Sequence, residues 1–282
     1  MFSKITILAP GLLGASVAQA VRQHQLAQHI SIWARRPAVR KAIAKQSWCD
    51  AVHATAESAV AGADFVVIAA PVDLIAPLAK AIGPHLKPGA IVTDVGSVKS
   101  TVCHDSATAL PSSAFFVGAH PMAGSEKTGW AHARPDLFSN RTCFVTPLPG
   151  TPPKTVTKVI SFWHKLGMSV VNVRPEQHDR IVAHISHLPQ ALASALCSSL
   201  AKKDTHWRDF AGGGLRDTTR IAGSDPALWR VIFEQNRTEV LQALASFSAE
   251  LKSFERALKR KDYRTVEAIL QRGQSYRSKF KI

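Results

Sequence analysis

The stretch Ile5-Thr6-Ile7-Leu8-Ala9-Pro10-Gly11-Leu12-Leu13-Gly14 runs from a largely apolar tetrad rich in β-branched residues into a glycine-punctuated turn, and Ala15 to Arg22 continue it with helix formers. An unbroken run of this kind reads as a strand buried on both faces. A turn carrying Gly11 and Gly14 directly behind it, with a helix opening next, is where a dinucleotide fingerprint GxGxxG belongs. Such a turn brings a pyrophosphate against the N–H groups of the helix N-terminus. Ala9, Gly11, Leu12, Leu13 and Gly14 are therefore the expected cofactor turn, with Ala9 standing where the fingerprint has its first glycine. The plainer reading is a glycine turn that serves close packing alone.

Outward from this turn, short apolar runs alternate with helix-like segments. Ile30 to Trp33, Phe65 to Ala69, Ala90 to Asp94 and Phe115 to Gly118 read as further strands. The alternation implies a doubly wound α/β unit, a parallel sheet covered on both faces. Cys143 to Thr146 and Ser169 to Val173 are expected to extend that sheet, with a proline-rich loop over 147–153 between them. Ala70 and Pro71, closing the run from Phe65, are expected beside the cofactor. At the end of the second strand, enzymes that use NAD place an acid about 20 residues beyond the glycines, on the ribose 2′-hydroxyl. This chain reads Trp33-Ala34-Arg35-Arg36 instead. A guanidinium suits a 2′-phosphate by charge and by its fork of donors, so NADP is expected in preference to NAD. Exposed loop charges without a ligand are the bland reading of Arg35 and Arg36.

After Val173 the character changes. Pro175-Glu176 suits a first helical turn. Ile181, Ile185, Leu188, Leu192 and Leu196 recur at helical spacing, and Pro189 predicts a kink. Gly212-Gly213-Gly214 reads as a loop and Ser224-Asp225-Pro226 as a helix start. Leu228 to Phe254 carry a long apolar stripe, and a last amphipathic helix is expected over 262–280. The expected organisation is a Rossmann-type dinucleotide-binding domain over 1–173 and an all-helical domain over 174–282.

Composition sets the outer limits. The chain has 282 residues, 46% hydrophobic and 20% charged, which excludes disorder, collagen and repeat arrays. At about 150 residues per domain the length fits two domains. The formal net charge of +15 attracts anions, but no nucleic-acid motif accompanies it, so no nucleic-acid partner is expected. Cys49, Cys103, Cys143 and Cys197 form no CxxC pair, and free thiols in a reducing cytoplasm are the expectation. Lys4, an apolar run and Ala18-Gln19-Ala20 mimic a signal peptide, yet Gly11 and Gly14 interrupt that run. No stretch of about 20 apolar residues predicts a membrane span.

Two strand ends carry polar residues where a doubly wound sheet places its ligands: Asp94 to Lys99, and Gly118 to Gly129. A histidine there, His120, is a natural base for a hydroxyl proton during hydride transfer, and a nearby serine can orient it. His184, His187 and Gln190 line up on one helix with His178 and Asp179 upstream, but the spacing matches no HExxH site and no metal is expected.

The run Gly118 to Gly129 resembles the GxHPMxGxExxG motif of prephenate and arogenate dehydrogenases. Asp94 to Lys99 (DxGSVK), His178-Asp179 with Ser186 to Pro189, and Gly212 to Arg220 (GGGLRDTTR) match the same family in order. The resemblance implies oxidation of a cyclohexadienol that bears a ring carboxylate, with hydride passing to the nicotinamide, loss of carbon dioxide and aromatisation. It implies His120 as base, held by Ser97. It implies Arg220 on the ring carboxylate, with Arg216 and the motif acid Glu126 gating the pocket. Trp229, His187 and Asp179 match substrate-site positions. Many prephenate enzymes read SHLPH where this chain has Gln190. A neutral amide there leans towards arogenate, whose side chain carries an ammonium. The helical domain of this family is shared across a dimer, so a homodimer is expected. The competing readings are another dehydrogenase with a Rossmann and a helical domain, and a nonenzymatic nucleotide-binding regulator.

Overall fold

The computed structural model describes residues 1–124 and 127–280, the side chain of Thr205 aside. The first strand, β1 (Phe2–Leu8), enters the Ala9 turn and α1 (Leu12–Gln23) follows. The chain then alternates: β2 (Ala27–Trp33), α2 (Pro37–Ile43), β3 (Ala51–His53), α3 (Ala56–Val60), β4 (Phe65–Ile68), α4 (Val72–Ile82), β5 (Ile91–Asp94), α5 (Ser100–Ala109) and β6 (Phe115–Phe116). These strands form one parallel sheet in the order β3-β2-β1-β4-β5-β6. That is the doubly wound Rossmann order, with its switch point between β1 and β4. Ile5, Ile7, Phe65 and Val67 point into one apolar layer, Leu8, Val66 and Ile68 into the other. Both faces are covered, which is why these strands read as continuous apolar runs rather than alternating ones.

The last strands do not extend this sheet. The expected single strand over 115–118 splits, and β7 (Gly118–Pro121) pairs antiparallel with β8 (Thr142–Thr146), which pairs parallel with β9 (Ser169–Asn172). The cause is local. β5 ends at Asp94, and the N–H of Ala119 donates to the Asp94 carboxylate at 3.0 Å instead of to a strand carbonyl. With its partner strand exhausted, the chain turns to β8. The helix α6 (Pro153–Lys165) packs Phe162 and Trp163 into the first apolar layer.

From Pro175 the chain is helical: α7 (Pro175–Val182), a π-helical turn (Ala183–His187), α8 (Leu188–Leu200), α9 (Gly213–Thr219), α10 (Pro226–Gln235), α11 (Arg237–Lys259) and α12 (Tyr263–Arg277). The irregularity expected at Pro189 takes the form of that π turn. Proline offers no N–H to the Ile185 carbonyl, and the Leu188 N–H bonds back five residues to Ala183. The triple glycine is not a loop throughout: Gly212 is the N-cap and Gly213 begins α9. The apolar stripe after Leu228 is broken at Asn236, between α10 and α11. No described helix is long and apolar enough to cross a membrane.

Candidate functional site

Two strand ends build the centre of the site. Asp94, last in β5, and Lys99 are both fully buried and form an ion pair. Asp94 also accepts the N–H of Gly96 at 2.8 Å and of Ala119, while the Lys99 ammonium donates to the Ala119 carbonyl at 3.1 Å. A buried lysine needs such pairing. Burial pushes the Asp94 carboxyl up, and the ammonium with the two N–H groups pulls against it. The result staples the end of β5 to the start of β7. Gly118 permits this closeness, since a Cβ there would lie 2.4 Å from the Cys103 sulfur.

His120 is the third residue of β7 and 8% exposed. Its Nδ1 lies 2.8 Å from Nε2 of His178, and Nδ1 of His178 lies 2.7 Å from Oδ1 of Asp179. Both come from α7. The same carboxylate accepts the N–H groups of Lys99 and Ser100, each at 2.8 Å, at the start of α5. A carboxylate only accepts, so His178 carries its proton on Nδ1 and accepts on Nε2. His120 therefore donates through Nδ1, and its Nε2 is left with a free lone pair. Burial, then repulsion of an added proton by His178, Lys99 and His187, holds His120 well below the usual imidazole value. Burial, Lys99 and His187 likewise push His178 down to about 2. The Asp179 carboxyl is raised by burial, with the Ser100 and Lys99 N–H groups opposing.

The other expected substrate residues fall into two groups. His187 is fully buried on the π turn and stands edge-on to Trp229 of α10, ring centroids 5.9 Å apart. Gln190 is buried on α8, with Nε2 3.3 Å from the Ser194 hydroxyl. Arg220 and Arg216 are exposed, without an ion-pair partner among the described residues. Arg216 lines a separate cavity of about 460 Å³ with Cys197 and Trp207. Ser97 is half-buried after β5, and no described hydrogen bond joins it to His120, whose Nδ1 is taken by His178. Glu126 lies outside the described residues. Among the described residues no cluster of His, Cys, Asp or Glu could hold a metal ion.

Asp94, Lys99, His178 and Asn236 were not singled out as site residues. Asp94, Lys99 and His178 sit inside the quoted motifs. Asn236 lies in no motif, and the apolar stripe over Leu228 to Phe254 gives no signal for it.

A groove of about 560 Å³ runs across the switch point, lined by Ala9, Gly11, Arg35, Arg36, Ala70 and Pro71, and also by Trp33 and Trp130. Leu12 and Leu13 pack partly into the core, and Gly14 is buried so close to β4 that a Cβ there would meet that of Ala69 at 2.8 Å. At Gly11 a Cβ would meet nothing within 4 Å. Gly11 caps α1 without a side chain, and the first turn holds no acid. The N–H groups there are open to an anion, so the cradle fits a dinucleotide pyrophosphate. Arg35 and Arg36 are exposed at its far end.

Residues 17–172 match the prephenate dehydrogenase nucleotide-binding domain and residues 174–272 the prephenate dehydrogenase dimerization domain. The chain is 31% identical to the cyclohexadienyl dehydrogenase of Zymomonas mobilis, over 93% of this chain and 90% of that one. Among solved structures, prephenate dehydrogenase from A. aeolicus in complex with hydroxyphenyl propionate and NAD⁺ superposes with a TM-score of 0.92 at 30% identity, covering 99% of this chain and 98% of that one. Synechocystis arogenate dehydrogenase gives a TM-score of 0.86 at 27% identity, covering 98% and 99%.

Proposed function

Because the chain belongs to the prephenate dehydrogenase family, we propose that His120 is the base in its oxidation of a cyclohexadienyl substrate. The reaction is the oxidative decarboxylation of prephenate and/or arogenate, a step of tyrosine biosynthesis, with a nicotinamide dinucleotide as oxidant. When bound, the nicotinamide accepts the hydride from the hydroxyl-bearing ring carbon. His120 Nε2 takes the hydroxyl proton. The bond to the ring carboxylate then breaks, its electron pair enters the ring, and carbon dioxide leaves. The phenolate oxygen recovers a proton from His120, so the base is regenerated. Aromatisation makes the sequence irreversible, and the protein needs no separate apparatus for decarboxylation.

The observation that carries this reading is the buried His120–His178–Asp179 chain. It presents a lone pair at a strand end, and an imidazolium formed there is stabilised through His178 by a carboxylate. Ser97 is read as a partner of the substrate hydroxyl beside His120. Arg220, whose guanidinium has no ion-pair partner among the described residues, is read as the group that grips the ring carboxylate. Arg216 and Glu126 are read as its gate, and His187, Gln190 and Trp229 as substrate contacts. Residues 1–173 are read as the cofactor domain, which also supplies His120 and Ser97, and 174–282 as the domain for substrate binding and dimerisation. The helical unit supports a homodimer, since α12 buries none of its residues within one chain. The four free cysteines support a cytoplasmic enzyme.

Arg35 and Arg36 at the end of β2 favour NADP⁺, and Gln190 favours arogenate. A second reading, prephenate with NAD⁺, is favoured by the NAD⁺ complex of the A. aeolicus enzyme. Turnover on purified protein with either substrate and either cofactor separates them. Preference for arogenate and NADP⁺ supports both assignments. Equal or better turnover of prephenate with NAD⁺ removes both and keeps the reaction. No turnover in any pairing removes the reaction itself.

A further inference from the structure

Asn236 breaks the apolar stripe between α10 and α11, and it is buried. Its Nδ2 reaches two atoms: the main-chain oxygen of Asp179 at 2.9 Å and Nδ1 of His187 at 3.1 Å. A carbonyl only accepts, so the Asp179 contact fixes which end of the amide is nitrogen. The second hydrogen of that nitrogen then points at His187 Nδ1, which must accept it. The imidazole proton of His187 is thereby placed on Nε2.

That Nε2 is buried and has no hydrogen-bond partner among the described residues. A buried N–H without an acceptor is costly, and structures keep few of them. The backbone also departs from regular helix here, because the π turn that ends at His187 carries the ring to Asn236. Burial pushes His187 down to about 4, against the pull of Asp179, so the ring is neutral at ordinary pH. A neutral imidazole with one nitrogen committed and the other holding an unspent proton is a one-way donor.

We propose that Asn236 is a positioning residue that locks His187 in its Nε2–H form, as a donor reserved for an acceptor oxygen of the bound substrate. The substrate half of this proposal rests on the reading of the site as that of a cyclohexadienyl dehydrogenase; the tautomer half does not.

Long-range ¹H–¹⁵N spectra of ¹⁵N-histidine-labelled, ligand-free protein at pH 7.5 test the first half. The His187→Gln spectrum identifies the resonance. A protonated Nε2 with a bare Nδ1 is expected, and a proton on Nδ1, or on both nitrogens, overturns the proposal. Steady-state kinetics on Asn236→Ala, His187→Gln and the double variant test the second half. Each single change is expected to raise KM about tenfold and to leave kcat within about threefold, the mark of a ground-state contact. The double variant is expected to be no worse than His187→Gln alone, because Asn236 acts through His187. Additive losses, or an unchanged KM in Asn236→Ala, overturn it. A wild type that turns over no cyclohexadienyl substrate removes the functional reading and the substrate half with it, and the spectra still decide the tautomer.

Discussion

At the scale of single residues, His120 and Ala9 show how position sets chemistry. His120 is one of 12 histidines, and what distinguishes it is a partner 58 residues away that takes its Nδ1. His120→Asn keeps a polar side chain that can still donate a hydrogen bond and removes the basic lone pair. Turnover should fall by about 10²–10⁴, the usual worth of a general base, with cofactor affinity unchanged; a loss of only a few-fold would assign the proton elsewhere. Ala9 has φ +60°, in the left-handed region that costs an ordinary L-residue about 1–2 kcal/mol. This is the position where the fingerprint carries glycine, so the departure visible in the sequence is a strain visible in the backbone. Ala9→Gly relieves the strain and loses part of the gain to the freer unfolded chain. The expected outcome is a net stabilisation of about 0.5–1 kcal/mol in urea unfolding, and a destabilisation would show that the turn is not strained.

At the scale of elements, one carboxylate ties two helices to one strand. Helix α5 has no side-chain cap of its own. Asp179, from α7, takes the two N–H groups at its start and orients His178 at the same time. Asp179 was expected as a substrate contact, yet it is 3% exposed and both of its oxygens are committed. Asp179→Asn leaves one acceptor oxygen and turns an NH₂ towards a donor. Stability should drop by about 1–3 kcal/mol, and kcat by about 10²-fold or more as the histidine pair loses its orientation. A rise in KM with kcat preserved would restore the substrate role. The element scale is also where sequence reading succeeded and failed for definable reasons. Five of the six parallel strands were legible because two-sided burial writes itself as apolar runs; the sixth, the half-buried edge strand β3, carries no such run. The separate β7-β8-β9 sheet was not, because its pairing is decided by a side chain, Asp94, that occupies the Ala119 N–H. The π turn showed only as Pro189, since a proline announces that a helical ladder is interrupted but not how the chain repairs it.

At the scale of the whole molecule, the proposed reacting centre lies on the seam between the sheet and the helical unit, and that seam is built from neutral histidines. His120 comes from β7, His178 from α7 and His187 from the π turn, and all three are buried with their values pushed down, His178 to about 2 and His187 to about 4. No local pattern encodes such a seam, because its contacts join residues far apart in the chain: Lys99 to Asp179 and His120 to His178. The motifs named the participants, and only the fold reveals the order in which they bond. The seam has a thermodynamic consequence. In the unfolded chain a histidine takes up its proton near pH 6.5, while in the folded chain these three resist it. Stability is therefore whole above pH 6.5 and falls as the pH drops below it, by about 1.4 kcal/mol per pH unit for each histidine still neutral in the fold. Burial raises Asp94 and Asp179, and their proton uptake acts in the opposite direction, so the raw slope mixes both kinds of group. Comparison with His187→Gln isolates one histidine. Between pH 6.5 and 5 the variant should lose stability less steeply than the wild type, by about 1.4 kcal/mol per pH unit in urea unfolding. Parallel slopes for the two proteins would mean that His187 titrates alike in the folded and unfolded chain, and that the seam is not sealed against protons as its burial requires.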